Sequence, residues 1–152
     1  MSLKKDNYKS SDKKIMNFAI NLAENNKYIT GTNPSVGCVI VKNNKILSFA
    51  TTNYGGRPHA ESIALNKNRS NKGTSLYSTL EPCSHHGVTP PCTNAIIKNK
   101  VKRVYYSIED KDLRTFNKTK KILKSKKIVA ISGLQKQNVK NLRRRQRFCK
   151  SR

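Results

Sequence analysis

An α/β fold with helices on both faces of one mixed sheet is predicted by three observations. The hydrophobic pattern alternates between helical and strand periods, two early apolar runs are joined by Asn43-Asn44, and 152 residues suit a single domain. Ser11 or Asp12 can cap a first helix that places Ile15, Ala19, Leu22 and Ala23 on one face. Val36 to Val41 and Ile46 to Ala50 then flank the two asparagines, which suit a tight hairpin turn. Downstream come a helix from His59, a strand around Leu76 to Thr79, a helix from Pro91 and a strand at Val104 to Ser107. A helix around Ile122-Leu123 and a strand from Ile128 to Ser132 complete the alternation. A hairpin followed by crossover units gives a mixed central sheet sandwiched by helices. Tyr105 and Tyr106 read as strand residues, one of them facing the core.

Charge is the most unusual bulk property. The chain holds 32 Lys or Arg against 8 Asp or Glu, a formal +24, and residues 113–152 contain fifteen Lys or Arg and no acid. The densest stretch, Asn141 to Arg152, is an electrostatic footprint for RNA or other polyanions and predicts weak, nonspecific polyanion binding. Abundant Lys, Asn and Ile also fit an AT-rich coding sequence, although this stretch favours Arg over Lys. The expected organisation is a flexible N-terminus at 1–12, a folded domain at 13–134 and a disordered basic tail at 135–152.

Cysteine usage points to ligands rather than disulfides. The opening MSLKKDNYKSSDKK has no apolar segment resembling a signal peptide, and the run Val36 to Val41 is far short of a membrane span. A cytoplasmic, reducing location without a membrane partner is therefore expected. Cys38 lies in an apolar strand and reads as a small core residue.

His59, Cys83 and Cys92 have the character of a zinc site with one position open. Structural zinc is closed by four protein ligands, whereas catalytic zinc uses three. Glu61, the nearby carboxylate, is then free to carry protons. Residues two apart do not share a face in mid-helix. Pro58, however, puts His59 and Glu61 at a helix start, where side chains lean toward the N-terminus and both can reach a metal over the helix end. Cys83 and Cys92 are likewise expected near helix starts, where the dipole and the metal both depress a thiol pKa. An H-x-E followed by P-C and a second Cys is the pattern of zinc-dependent deaminases, here with eight residues between the cysteines in place of two.

With that spacing, Thr79 to Cys92 (TLEPCSHHGVTPPC) resembles the deaminase domain of the bifunctional riboflavin-biosynthesis deaminase-reductase family. Asn33-Pro34-Ser35-Val36-Gly37-Cys38-Val39-Ile40-Val41 and Gly56-Arg57-Pro58-His59-Ala60-Glu61 resemble its other two blocks. The resemblance covers about Lys13 to Gly133 and implies a three-layer α/β/α cytidine deaminase-like fold. It also implies hydrolytic deamination of 2,5-diamino-6-ribosylamino-4(3H)-pyrimidinone 5′-phosphate, with zinc on His59, Cys83 and Cys92 and Glu61 as proton shuttle. Asn33, Asp110 and Arg114 would contact the substrate. The family's reductase domain is expected to be absent, so the reading leaves room for a separate reductase and for self-association.

Two departures stand out. Val88 replaces a Lys or Arg that usually precedes Thr-Pro-Pro-Cys, and Asn117 and Thr119 replace glycines of the segment after Asp110. Asp110 and Asp112 fit turn residues equally well. His85 and His86 read as loop-shaping or solvent-facing, and Thr52, Asn53 and Tyr54 as peripheral. Three other readings stay open: a deaminase of tRNA or single-stranded bases, a zinc-binding deaminase domain that has lost turnover, and a basic polyanion-binding module.

Overall fold

Asn43 and Asn44, at φ 50° and 60°, form the two-residue turn that pairs Lys42 with Lys45 and closes an antiparallel hairpin. In the computed structural model, which describes residues 8–150 and the side chains of 8–147, its strands are β1 (Gly37–Lys42) and β2 (Lys45–Thr51). Helix α1 (Ser10–Asn25) precedes them. The chain continues through α2 (Ala60–Asn66), β3 (Ser75–Leu80), α3 (Cys92–Lys98), β4 (Arg103–Ile108), α4 (Thr119–Ser125), β5 (Val129–Ser132) and α5 (Lys136–Lys150). The sheet order is β2-β1-β3-β4-β5, antiparallel from β2 to β3 and parallel from β3 to β5. This is the predicted mixed sheet with its initial hairpin.

Strand alternation divides the core into two layers. Cys38 and Ile40 face Ala60, Ala64, Leu65, Ile96 and Leu123 of α2, α3 and α4, whereas Val39 and Val41 face Met16, Ala19, Val139 and Leu142 of α1 and α5. Leu65, Leu76, Ile96 and Leu123 are wholly buried, and burial of such a side chain contributes about 1.5–3 kcal/mol. Because helices cover both faces, Tyr105 and Tyr106 are both buried, where the sequence leads one to expect only one. Tyr105 stacks on Tyr77 with ring centroids 4.6 Å apart.

Asp12 caps α1 from inside its first turn. Its carboxylate accepts the Lys9 N–H at 2.9 Å and the Tyr77 hydroxyl at 2.7 Å. Part of the segment expected to be flexible is therefore helical from Ser10, while residues 1–7 lie outside the described residues. Gly37 is where α1 meets β1 most tightly: a Cβ there would stand 1.9 Å from the Ala19 carbonyl oxygen. Gly37→Ala must push the helix off the sheet. The expected cost is at the upper end of about 1–3 kcal/mol, read as a fall in Tm of roughly 6–12 °C by circular dichroism.

Helix α5 occupies the region expected to be a disordered tail. Leu134, Val139, Leu142 and Gln146 are buried beneath its cations, and Lys, Arg and Gln are good helix formers. Arg145 pairs with Glu24 of α1 at 2.7 Å. The Gln146 amide accepts the Ser35 N–H at 3.2 Å and donates to Thr30 Oγ1 at 3.1 Å and to the Asn33 carbonyl at 3.2 Å, so α5 holds the loop that carries Asn33. Residues 151–152 of the expected tail lie outside the described residues. Among the described residues no helix is long and apolar enough to cross a membrane.

Candidate active site

Two helix starts and one loop bring the predicted metal ligands together. His59 is the residue before α2, Glu61 lies in the first turn of α2, and Cys92 opens α3. Cys83, expected near a helix start, sits instead in the loop after β3. It reaches the N-terminus of α3 through its sulfur, which accepts the Cys92 N–H at 3.2 Å. One ligand atom from each of His59, Cys83 and Cys92 lies within 4.8 Å of the others, a cluster able to hold a metal ion.

The spacing fits zinc. Nδ1 of His59 stands 3.5 Å from Cys83 Sγ and 3.4 Å from Cys92 Sγ. A tetrahedral ion with Zn–S near 2.3 Å and Zn–N near 2.05 Å requires an N···S edge of about 3.6 Å. The charge is also suited to a cation: Cys92, donating to it, holds the Cys83 thiol at about 4, with His59 adding to the effect. Cys92 is pushed up in turn, first by its hydrogen bond to Cys83 and then by burial. The third cysteine with a described side chain, Cys38, is a fully buried core residue, as expected.

Glu61 is only 3% exposed. Ser78 Oγ donates to its Oε1 at 3.1 Å, and its Oε2 lies 3.8 Å from Cys92 Sγ. Burial pushes this carboxyl up, and His59 opposes the shift.

A cavity of about 280 Å³ opens over Glu61, His59 and Cys83, and Asn33, Asp110 and Arg114 line it as well. Asn33 packs against Gly56, where a Cβ would fall 2.2 Å from its side chain, and donates to the Gly56 carbonyl at 3.4 Å. Asp110 is also a turn residue, accepting the Asp112 N–H at 3.1 Å. Arg114 is forked onto Asp112 through Nε at 2.9 and 3.1 Å and holds that carboxyl well below the usual carboxylate range. Val88 is 85% exposed and lies outside the cavity lining.

Residues 9–108 match the model of the cytidine and deoxycytidylate deaminase zinc-binding region. The chain belongs to this deaminase family. It is similar to the diaminohydroxyphosphoribosylamino-pyrimidine deaminase of Buchnera aphidicola subsp. Schizaphis graminum, 41% identical over 124 residues that cover 81% of this chain and 84% of that one. The riboflavin biosynthesis protein RibD of Aquifex aeolicus is 47% identical over 100 residues, 65% of this chain and 28% of its own length. Among solved structures, Acinetobacter baumannii RibD matches with a TM-score of 0.84 at 37% identity, over 88% of this chain and 38% of that one. The chain thus spans about a third of the length of the RibD proteins it matches.

Two residues that line the cavity escape sequence reasoning. Glu81 stands just beyond β3, and its buried carboxylate accepts the N–H groups of Asp110 at 3.1 Å, Thr119 at 3.3 Å and Asn117 at 3.4 Å. It thereby shapes the loop that bears Asp110 and Arg114, and its place just before Pro82-Cys83 was the available signal. Asn117 takes φ 57°, a left-handed conformation that Asn tolerates, so the replaced glycine leaves this turn intact. Arg143 of α5 also lines the cavity and was assigned to a tail. His85 shapes the loop as expected, bonded to Thr115 Oγ1 at 2.8 Å, while it also lines the cavity.

Proposed function

We propose that this chain hydrolytically deaminates 2,5-diamino-6-ribosylamino-4(3H)-pyrimidinone 5′-phosphate to 5-amino-6-ribosylaminouracil 5′-phosphate and ammonia, a step of riboflavin biosynthesis. The observation that carries the reading is a buried Glu61 carboxylate beside a His59, Cys83 and Cys92 cluster at the floor of a cavity. The similarity to a dedicated deaminase across most of both chains supports the substrate class.

His59, Cys83 and Cys92 would hold zinc. When bound, zinc supplies Lewis-acid activation of a water, whose pKa falls from about 15.7 to about 7. Glu61 takes one proton from the attacking water and gives it to the ring nitrogen, then takes the second from the hydroxyl of the tetrahedral adduct and gives it to the amine as the C–N bond breaks, so the water oxygen stays on carbon and ammonia leaves. Its burial favours the protonated form that the second half of this cycle needs. Ser78 fixes one carboxylate oxygen and leaves the other to face the reacting atoms. Asn33, Asp110 and Arg114 position the pyrimidine and ribose. A reductase is the partner that would take up the product.

The test measures bound zinc and ammonia release from the phosphorylated diaminopyrimidine, beside cytidine and tRNA, with Glu61→Ala as control. Release from the diaminopyrimidine alone is expected. Zinc without turnover of any substrate would mean a domain that has lost catalysis, deamination of tRNA would favour the nucleic-acid reading, and turnover surviving Glu61→Ala would sink the proton-shuttle role.

A further inference from the structure

Helix α5 carries Lys136, Lys140, Arg143, Arg144 and Arg147 at spacings of four, three, one and three residues, which puts them on one stripe. The stripe walls a groove of about 480 Å³ floored by Leu80, Ile108 and Phe116. The acid on its rim, Glu109, is paired with Lys136 at 3.7 Å, so the remaining cations set the field. Leu80 and Arg143 line both this groove and the cavity over Glu61, which makes the two contiguous.

The arginines of that cavity differ in how they are engaged. Arg57 donates to Thr89 Oγ1 at 3.0 Å, and Arg114 is committed to Asp112. Arg143 makes no hydrogen bond or salt bridge among the described residues. It is half-buried, with Arg147 as a like-charged neighbour and only Asp110 opposing. A partly desolvated guanidinium without an acidic partner is uncompensated. A phosphate dianion supplies the bidentate, charge-assisted acceptor that its planar fork fits. The loop between Cys83 and Cys92 contains no Lys or Arg that could do this instead.

We propose that Arg143 is the phosphate-binding residue of this site: a pyrimidine ribotide seated over Glu61 extends its 5′-phosphate past Leu80 to Arg143, where Lys140 and Arg147 complete a positive field. This rests on the reading above that the substrate is a phosphorylated pyrimidine. It makes Arg143 the determinant that separates the nucleotide from its dephosphorylated counterpart.

The experiment uses the full zinc-loaded chain. Calorimetric titration with ribose 5-phosphate, and with ribose as control, compares the native protein with Arg143→Ala and Arg143→Lys. Arg143→Ala is expected to weaken ribose 5-phosphate binding by about tenfold or more at unchanged Tm and zinc content, and Arg143→Lys to restore part of it. In ammonia-release assays the loss should fall on KM more than kcat for the phosphorylated substrate and be absent for the dephosphorylated one. Equal ribose 5-phosphate affinity in native and Arg143→Ala chains overturns the proposal. So does an effect confined to single-stranded RNA, which would make the groove a nucleic-acid surface. Ribose 5-phosphate binding through Arg143 in a chain that turns over no diaminopyrimidine would retire the substrate reading and leave the phosphate subsite standing.

Discussion

Glu61→Gln is expected to lower kcat by about 10²- to 10⁴-fold, the usual contribution of a positioned general acid-base group. The amide has the shape of the carboxylate and can keep the Ser78 contact, now made at 3.1 Å. It cannot accept a proton from water or deliver one to a leaving amine. Zinc content should stay at the native level because His59, Cys83 and Cys92 are untouched. Steady-state ammonia release read together with metal analysis makes the check, and a kcat within tenfold of native would remove Glu61 from the proton path.

Cys92→Ala should have the largest effect on the folded chain as well as on turnover. The sulfur stands 3.4 Å from His59 Nδ1, and its loss leaves two ligands for a cation that favours four-coordination. Metal that binds only the folded state stabilises it by about 4.1 kcal/mol at a free concentration a thousand times Kd. Added zinc should therefore raise the Tm of the native protein and leave that of Cys92→Ala unchanged, with activity at background. Full zinc occupancy in the variant would show that the cluster is not the binding site.

The legible parts of the molecule were those in which local chemistry and global arrangement agree. Asn43-Asn44 announced the hairpin because both residues tolerate positive φ, and the alternation along β1 sorted Cys38 and Ile40 from Val39 and Val41. His59, Cys83 and Cys92 were legible because few roles other than metal binding ask for those side chains in that order. What escaped was long-range. Helix α5 was hidden because its buried positions, Val139, Leu142 and Gln146, are outnumbered by cations and include a polar residue. Glu81 was hidden because its three N–H partners lie 29 to 38 residues away. Arg143 was lost with the helix that carries it.

The Gln146 amide sets an order on assembly. It binds Thr30, Asn33 and Ser35 across separations of 111 to 116 residues, so the loop bearing Asn33 cannot reach its final hydrogen bonding until α5 has been synthesised and docked. Contacts of such separation are slow to form. On the ribosome, where chains emerge N-terminus first, the His59, Cys83 and Cys92 cluster can close while the loop bearing Asn33 is not yet held by Gln146. A nascent chain would then be competent to take up metal before α5 fixes Asn33, a residue of the cavity lining.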